Sequence, residues 1–180
     1  GAFMSLVAHN ALNHVTKVYT KPGQILNQVN RIASTVFHSD EDDKIKDGMD
    51  IALCSLDQKT GILEFSGAQN PIYIIRQGEL IILQGEKRSI GIESKEHRLF
   101  ASHTFQCQEG DMIYLFSDGY ADQFGGPNNK KFMRKRMKEM LTEVAIENCD
   151  AQKEKIQDII LAWKGEEEQT DDILLVGIRV

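Results

Sequence analysis

Between residues 25 and 37 the apolar side chains fall at Ile25, Leu26, Val29, Ile32, Ala33, Val36 and Phe37. That three- and four-residue spacing makes one buried helical stripe. Thr20 precedes it as a cap and Pro22 sits in the first turn, where the missing N–H has no partner to lose. Upstream, Phe3, Leu6, Val7, Leu12 and Val15 follow the same spacing more loosely and predict a first helix over 2–19. The acidic stretch HSDEDDKIKDG, 38–48, then breaks the pattern and reads as an exposed loop. Beyond it the period shortens. DIALCSLD, ILEFSG, IYIIRQ and ELIILQ are short apolar runs separated by QKTG, AQNP and QG, the rhythm of hairpins in antiparallel sheet. RLFASHTFQC and MIYLFS extend it across the turn QEGD. Two further helices are predicted over 131–147 and 150–164. Phe132, Met133, Met137, Met140, Leu141 and Val144 mark the buried side of the first, and Ile156, Ile159, Ile160 and Trp163 that of the second. A closing strand, DILLVGIRV, ends the chain. Strands without regular crossover helices, flanked by helices, predict an α+β layered fold of antiparallel sheets rather than a doubly wound parallel one.

Length and charge narrow the function. The 180 residues suit one core and one domain spanning 1–180. A net charge of -6 argues against a nucleic-acid partner, which needs a positive surface. No apolar run approaches the ~18 residues of a membrane span, so no membrane contact is expected from this segment. Cys54, Cys107 and Cys149 have neither disulfide-framework nor zinc spacing and fit a reducing cytoplasm.

Several features read as structure. The carboxylates of 38–48 lack the glycine and terminal glutamate placement of a calcium-binding loop. His9 and His14 lie five apart, off a common helical face, and His38, His97 and His103 have no partner pattern. Met133, Met137 and Met140 read as core filler. KKFMRKRMK, 130–138, holds six basic residues in nine. Lys131, Lys135 and Lys138 lie near one another at helical spacing, with Phe132, Met133 and Met137 turned elsewhere. A solvated helix face is the plain reading of this run, and a docking surface for an acidic phosphoprotein is the functional one. DQFGGPNN, rich in turn formers, is a flap or a connection, and SGAQNP a turn between strands.

The chemistry concentrates at two strand ends. Asp118 follows the apolar run MIYLF, and Asp171 with Asp172 precedes ILLVGI. Singly, each is an ordinary strand terminator. If the two strands are neighbours, their ends bring hard oxygen ligands to one point, suited to Mg²⁺ or Mn²⁺ rather than zinc. Gly119 would let backbone approach closely.

The ordered series GAFMS, SGAQNP, SIG, GDMIYLFSDGYADQFGG and TDDILLVGI resembles the stage II sporulation protein E type of the metal-dependent PPM (PP2C-like) bacterial serine phosphatases. The resemblance spans nearly the whole chain. It implies an α-β-β-α sandwich, two Mn²⁺ or Mg²⁺ ions, and hydrolysis of phosphoserine or phosphothreonine on a protein. It also implies a phosphorylated anti-anti-sigma-type regulator as partner. Carried over to this chain, Asp118 and Asp171 are metal ligands and catalytic residues, with Asp172 as the neighbouring metal candidate. In the family, the stretch resembling GAFMS directly follows Asp-x-x-Gly-His-Gly, whose aspartate bridges both metals. This chain begins at Gly1. The expectation is therefore an N-terminally truncated domain with weak or no activity, whose uncovered sheet edges favour a homodimer. The alternative is a non-catalytic phosphoprotein-binding module of the same fold.

Overall fold

The structure, a computed structural model, describes residues 2–37, 48–92 and 99–180. Most of the acidic stretch 38–48, with His38, and also His97 lie outside these residues. The chain divides into two compact units, one formed by Gly1–Pro71 and Leu83–Cys107, the other by Ile72–Ile82 and Gln108–Val180.

In the first unit, helices α1 (Ala2–Val15) and α2 (Pro22–Phe37) pack on each other. α2 also packs on a three-stranded antiparallel sheet. The sheet holds β1 (Ile51–Asp57), β2 (Ile62–Ala68) and β5 (His103–Gln106) in the order β1-β2-β5. The predicted stripe of α2 is buried at Ile25, Leu26, Val29 and Ala33, beside Ala11, Val15 and Phe100. Asn27 crosses from this helix, donating to the Phe100 carbonyl and accepting from its N–H at 3.0 and 2.8 Å. α1 ends four residues earlier than the spacing predicts, and β5 uses only the end of RLFASHTFQC. Within SGAQNP, Ser66–Ala68 complete β2 and Gln69–Pro71 make the turn expected after that strand. Gln69 takes a left-handed φ of 60°, and its N–H donates to the Glu86 carbonyl at 2.8 Å. A Cβ on Gly67 would stand 2.3 Å from the Asn70 carbonyl, so the turn closes only around glycine.

The second unit is a four-stranded sheet with helices. Its strands are β3 (Ile72–Arg76), β4 (Glu79–Leu83), β6 (Met112–Phe116) and β9 (Leu175–Arg179), ordered β4-β3-β6-β9. Gln77 and Gly78, both at positive φ, make the two-residue turn between β3 and β4. The short helix α3 (Gly119–Asp122) follows β6. Next come two-residue strands β7 (Phe124–Gly125) and β8 (Lys130–Lys131), then α4 (Arg134–Val144) and α5 (Cys149–Lys164). Of these α3, β7 and β8 are not legible in the pattern, being too short to show a period.

The core of this unit joins Tyr73, Met112, Tyr114, Phe116, Tyr120, Phe132, Met137, Met140, Leu141 and Val144 with Ile156 and Ile160. Two of the buried phenols have acceptors: Tyr114 donates to the Gln152 Oε1 at 2.6 Å, and Tyr120 to the Ile156 carbonyl at 2.8 Å. Burial pushes both phenols far up. Asn148 caps α5, accepting from the Ala151 N–H at 2.9 Å. Two expectations fail here. Ile159 is exposed, because the inward face of α5 is made by Gln152, Ile156 and Ile160. Met133 is exposed as well, because it stands before α4 rather than within it. Lys131 likewise lies in β8, not on the helix.

No helix among the described residues is long and apolar enough to cross a membrane.

Candidate active site

β6 and β9 are antiparallel neighbours, with Phe116 paired to Leu175 and Met112 to Arg179. The condition on which the strand-end aspartates depend is thereby met. The end of β6 and the start of β9 lie at the same side of the sheet, and Asp118 and Asp171–Asp172 leave from there.

Three neighbours of the aspartates fix this junction. Ser117 continues the ladder, its N–H donating to the Leu174 carbonyl at 3.0 Å. Its hydroxyl then accepts from the Leu174 N–H at 2.9 Å and donates to the Asp172 carbonyl at 2.8 Å. One serine thus ties the end of one strand to the start of the other. Gly119 stands against the same carbonyl, where a Cβ would lie 2.4 Å from the Asp172 oxygen. No real Cβ comes so close, so the junction requires glycine. Gln123 acts from below. Fully buried, it donates through Nε2 to the Glu168 carbonyl at 2.9 Å and accepts through Oε1 from the Thr170 N–H at 3.3 Å. It therefore holds the segment entering Asp171. Its own carbonyl accepts from the Phe132 N–H and the Trp163 indole. The stretch DQFGG is thus a buried brace as well as a connection. A Cβ on Gly125 would meet the Trp163 carbonyl at 1.9 Å, which seats this hairpin on the end of α5.

Asp118, Asp171 and Asp172 are all exposed. Asp118 is the N-cap of α3 yet makes no side-chain capping bond. Asp171 accepts through one oxygen from the Asp172 N–H at 2.7 Å. Among the described residues none of the three carboxylates meets a cation of the chain. The hollow of about 500 Å³ along α5 and β6, lined by Tyr114, Tyr120, Gln152 and Ile173, includes none of them. The site is an open surface.

An all-oxygen set of this kind fits Mg²⁺ or Mn²⁺ in chemistry. It supplies few ligands: the described residues contain no group of three metal-ligating side chains.

The sequence profile of the stage II sporulation protein E (SpoIIE) family matches residues 1–180, spanning both units. This chain belongs to the SpoIIE family. Solved structures of similar fold are PP2C phosphatase domains. The SiaA-PP2C domain of Pseudomonas aeruginosa is 26% identical with a TM-score of 0.88, over 99% of this chain and 70% of that one. The PP2C phosphatase domain of SpoIIE from Bacillus subtilis, solved with a fragment of its regulatory domain, is 17% identical with a TM-score of 0.74. That match covers 99% of this chain and half, 50%, of that one. The Mn-presoaked phosphatase domain of the same protein is 16% identical with a TM-score of 0.60, over 96% and 73%. No curated protein is similar enough to this chain to count as a match. The fold is PP2C-like, and the family is one of protein phosphatase domains.

Proposed function

We propose that this chain is the catalytic part of a Mn²⁺- or Mg²⁺-dependent phosphoserine/phosphothreonine protein phosphatase. The reading is supported by the antiparallel pairing of β6 and β9, from whose joined ends Asp118 and Asp171 leave. Asp118 and Asp171, with Asp172 beside them, would hold the metal. A divalent ion there supplies Lewis-acid neutralisation of a phosphoryl group and lowers the pKa of bound water.

The chain's own residues do the positioning. Ser117 and Gly119 set the separation of the two strand ends, and Gln123 sets the entry to Asp171. Exposure of all three carboxylates suits a phosphoresidue carried on the surface of another protein, which a closed pocket would exclude. The partner we propose is a phosphorylated regulator of the anti-anti-sigma type, on the strength of the resemblance of the motifs. With so few protein ligands, weak metal affinity and slow turnover are expected of this chain by itself. The whole length, 1–180, is taken as one phosphatase domain acting in the cytoplasm.

The test is phosphate release from a phosphoserine peptide with Mn²⁺ and with a chelator. Release that needs the ion and stops on Asp171→Ala supports the phosphatase. Tight peptide binding by the folded chain with no release at any Mn²⁺ concentration replaces it with the binding-module reading.

A further inference from the structure

Met133 is the residue before α4, held at φ 76° and ψ 142°, a region that side chains other than glycine avoid. Its side chain is 57% exposed. Its position follows from its neighbours. Phe132 is buried edge-on between Tyr120 and Trp163, with ring centroids 5.2 and 5.4 Å away. The Met133 N–H then donates to the Ala121 carbonyl at 2.7 Å. Ala121 belongs to α3, the single helical turn that begins directly after Asp118. A long apolar side chain is therefore displayed on the surface, in a strained conformation, one short helix from the candidate metal ligand.

Positive charge surrounds it. Lys131 pairs with Asp122 at 2.9 Å, and Arg136 lies over the Trp163 ring at 4.2 Å. Lys130, Arg134 and Lys135 are exposed and, among the described residues, make no ion pair. Glu139, four residues beyond Lys135, is the nearest acid along the helix. On a chain of net charge -6, this is a local reversal of sign.

We propose that Met133, with Lys130, Arg134 and Lys135, forms a docking surface for an acidic segment of the phosphoprotein substrate. An apolar residue of that segment covers Met133, and the phosphoresidue extends to Asp118. The substrate assignment rests on the phosphatase reading; the docking surface itself does not. Acidic protein is favoured over nucleic acid because the most exposed apolar side chain here is the flexible thioether of Met133. A single exposed aromatic, Phe124, already lying under Lys131, is no platform for successive bases.

The experiment is fluorescence anisotropy with two labelled phosphoserine peptides, one with Asp, Glu and Leu flanking the phosphoserine and one with neutral flanks. The acidic peptide binds about tenfold more tightly, and the preference shrinks as salt rises. The triple variant Lys130→Glu, Arg134→Glu, Lys135→Glu removes the preference. Met133→Gly weakens binding while raising the melting temperature, because glycine accepts the backbone conformation. Unchanged affinity in the triple variant overturns the proposal. So does unchanged affinity in Met133→Gly, or equal competition by a single-stranded oligonucleotide of the same charge. Mn²⁺-dependent hydrolysis of p-nitrophenyl phosphate by the unaltered chain is a separate arm. Its absence overturns the phosphatase reading and leaves the binding result standing.

Discussion

Strand β6 is bounded by two aspartates that could hardly be treated more differently. Asp111, just before it, is 1% exposed and held by Arg76, whose Nε and guanidinium nitrogen donate to its two oxygens at 2.9 and 2.7 Å. The Gln108 N–H adds a third bond at 2.9 Å. Burial pushes this carboxyl up, but the Arg76 hydrogen bonds, the Gln108 N–H and the guanidinium charge together hold it below its ordinary value. Asp118, two residues past the other end, is exposed and makes no capping bond. One carboxylate has its charge answered within the chain and locks the sheet. The other is exposed and meets no cation among the described residues. The same residue type at the two ends of one strand is thus buried and paired at one and exposed at the other.

The largest expected effect is on turnover. Asp118→Ala lowers Mn²⁺-dependent phosphate release by ~100-fold or more while leaving the melting temperature near that of the unaltered chain. Asp111→Ala reverses the pattern. It removes the bidentate Arg76 pair and the Gln108 bond from a buried position and costs ~3 kcal/mol, a melting-temperature loss readable by calorimetry. Equal losses of stability in the two variants would erase the distinction between the ends.

Next in size is Gly119→Ala. The added Cβ meets the Asp172 carbonyl at 2.4 Å, so the strand ends must part at a cost of ~2 kcal/mol. Circular dichroism melting measures the stability loss, and a Mn²⁺ titration should show weakened binding in the same variant. The smallest effect is the pH dependence. The folded Asp111 pKa lies below the unfolded value of ~3.9, so its contribution is full above that pH and is lost as the pH falls through the folded pKa. Denaturant unfolding over the acid range should show a steeper acid loss in the unaltered chain than in Asp111→Asn.

How much of this was legible in the sequence depended on range. The stripe of α2 is a local pattern and is found at Ile25, Leu26, Val29 and Ala33, with Ile32 half-buried and Val36, near the helix end, exposed. Asp118 and Asp171 were recognisable as misplaced carboxylates at strand ends, but that those ends adjoin depends on the β6–β9 pairing, which no local pattern encodes. The Ser117 hydroxyl that ties the two strand ends reaches across 55 positions to the Asp172 carbonyl. Gln123 was hidden for the opposite reason. It stands in a run of turn-forming residues, and a lone buried amide leaves no periodic trace. Met133 misled because its spacing matches the buried face of a helix that begins one residue later.

The central claim is that the joined strand ends are where a divalent ion sits. Paramagnetic broadening of backbone amide signals on adding Mn²⁺ tests it most directly. The account predicts broadening first at 117–119 and 171–173, abolished by Asp118→Asn together with Asp171→Asn and reversed by Mg²⁺. Broadening that spares these amides, or that survives both substitutions unchanged, would contradict it.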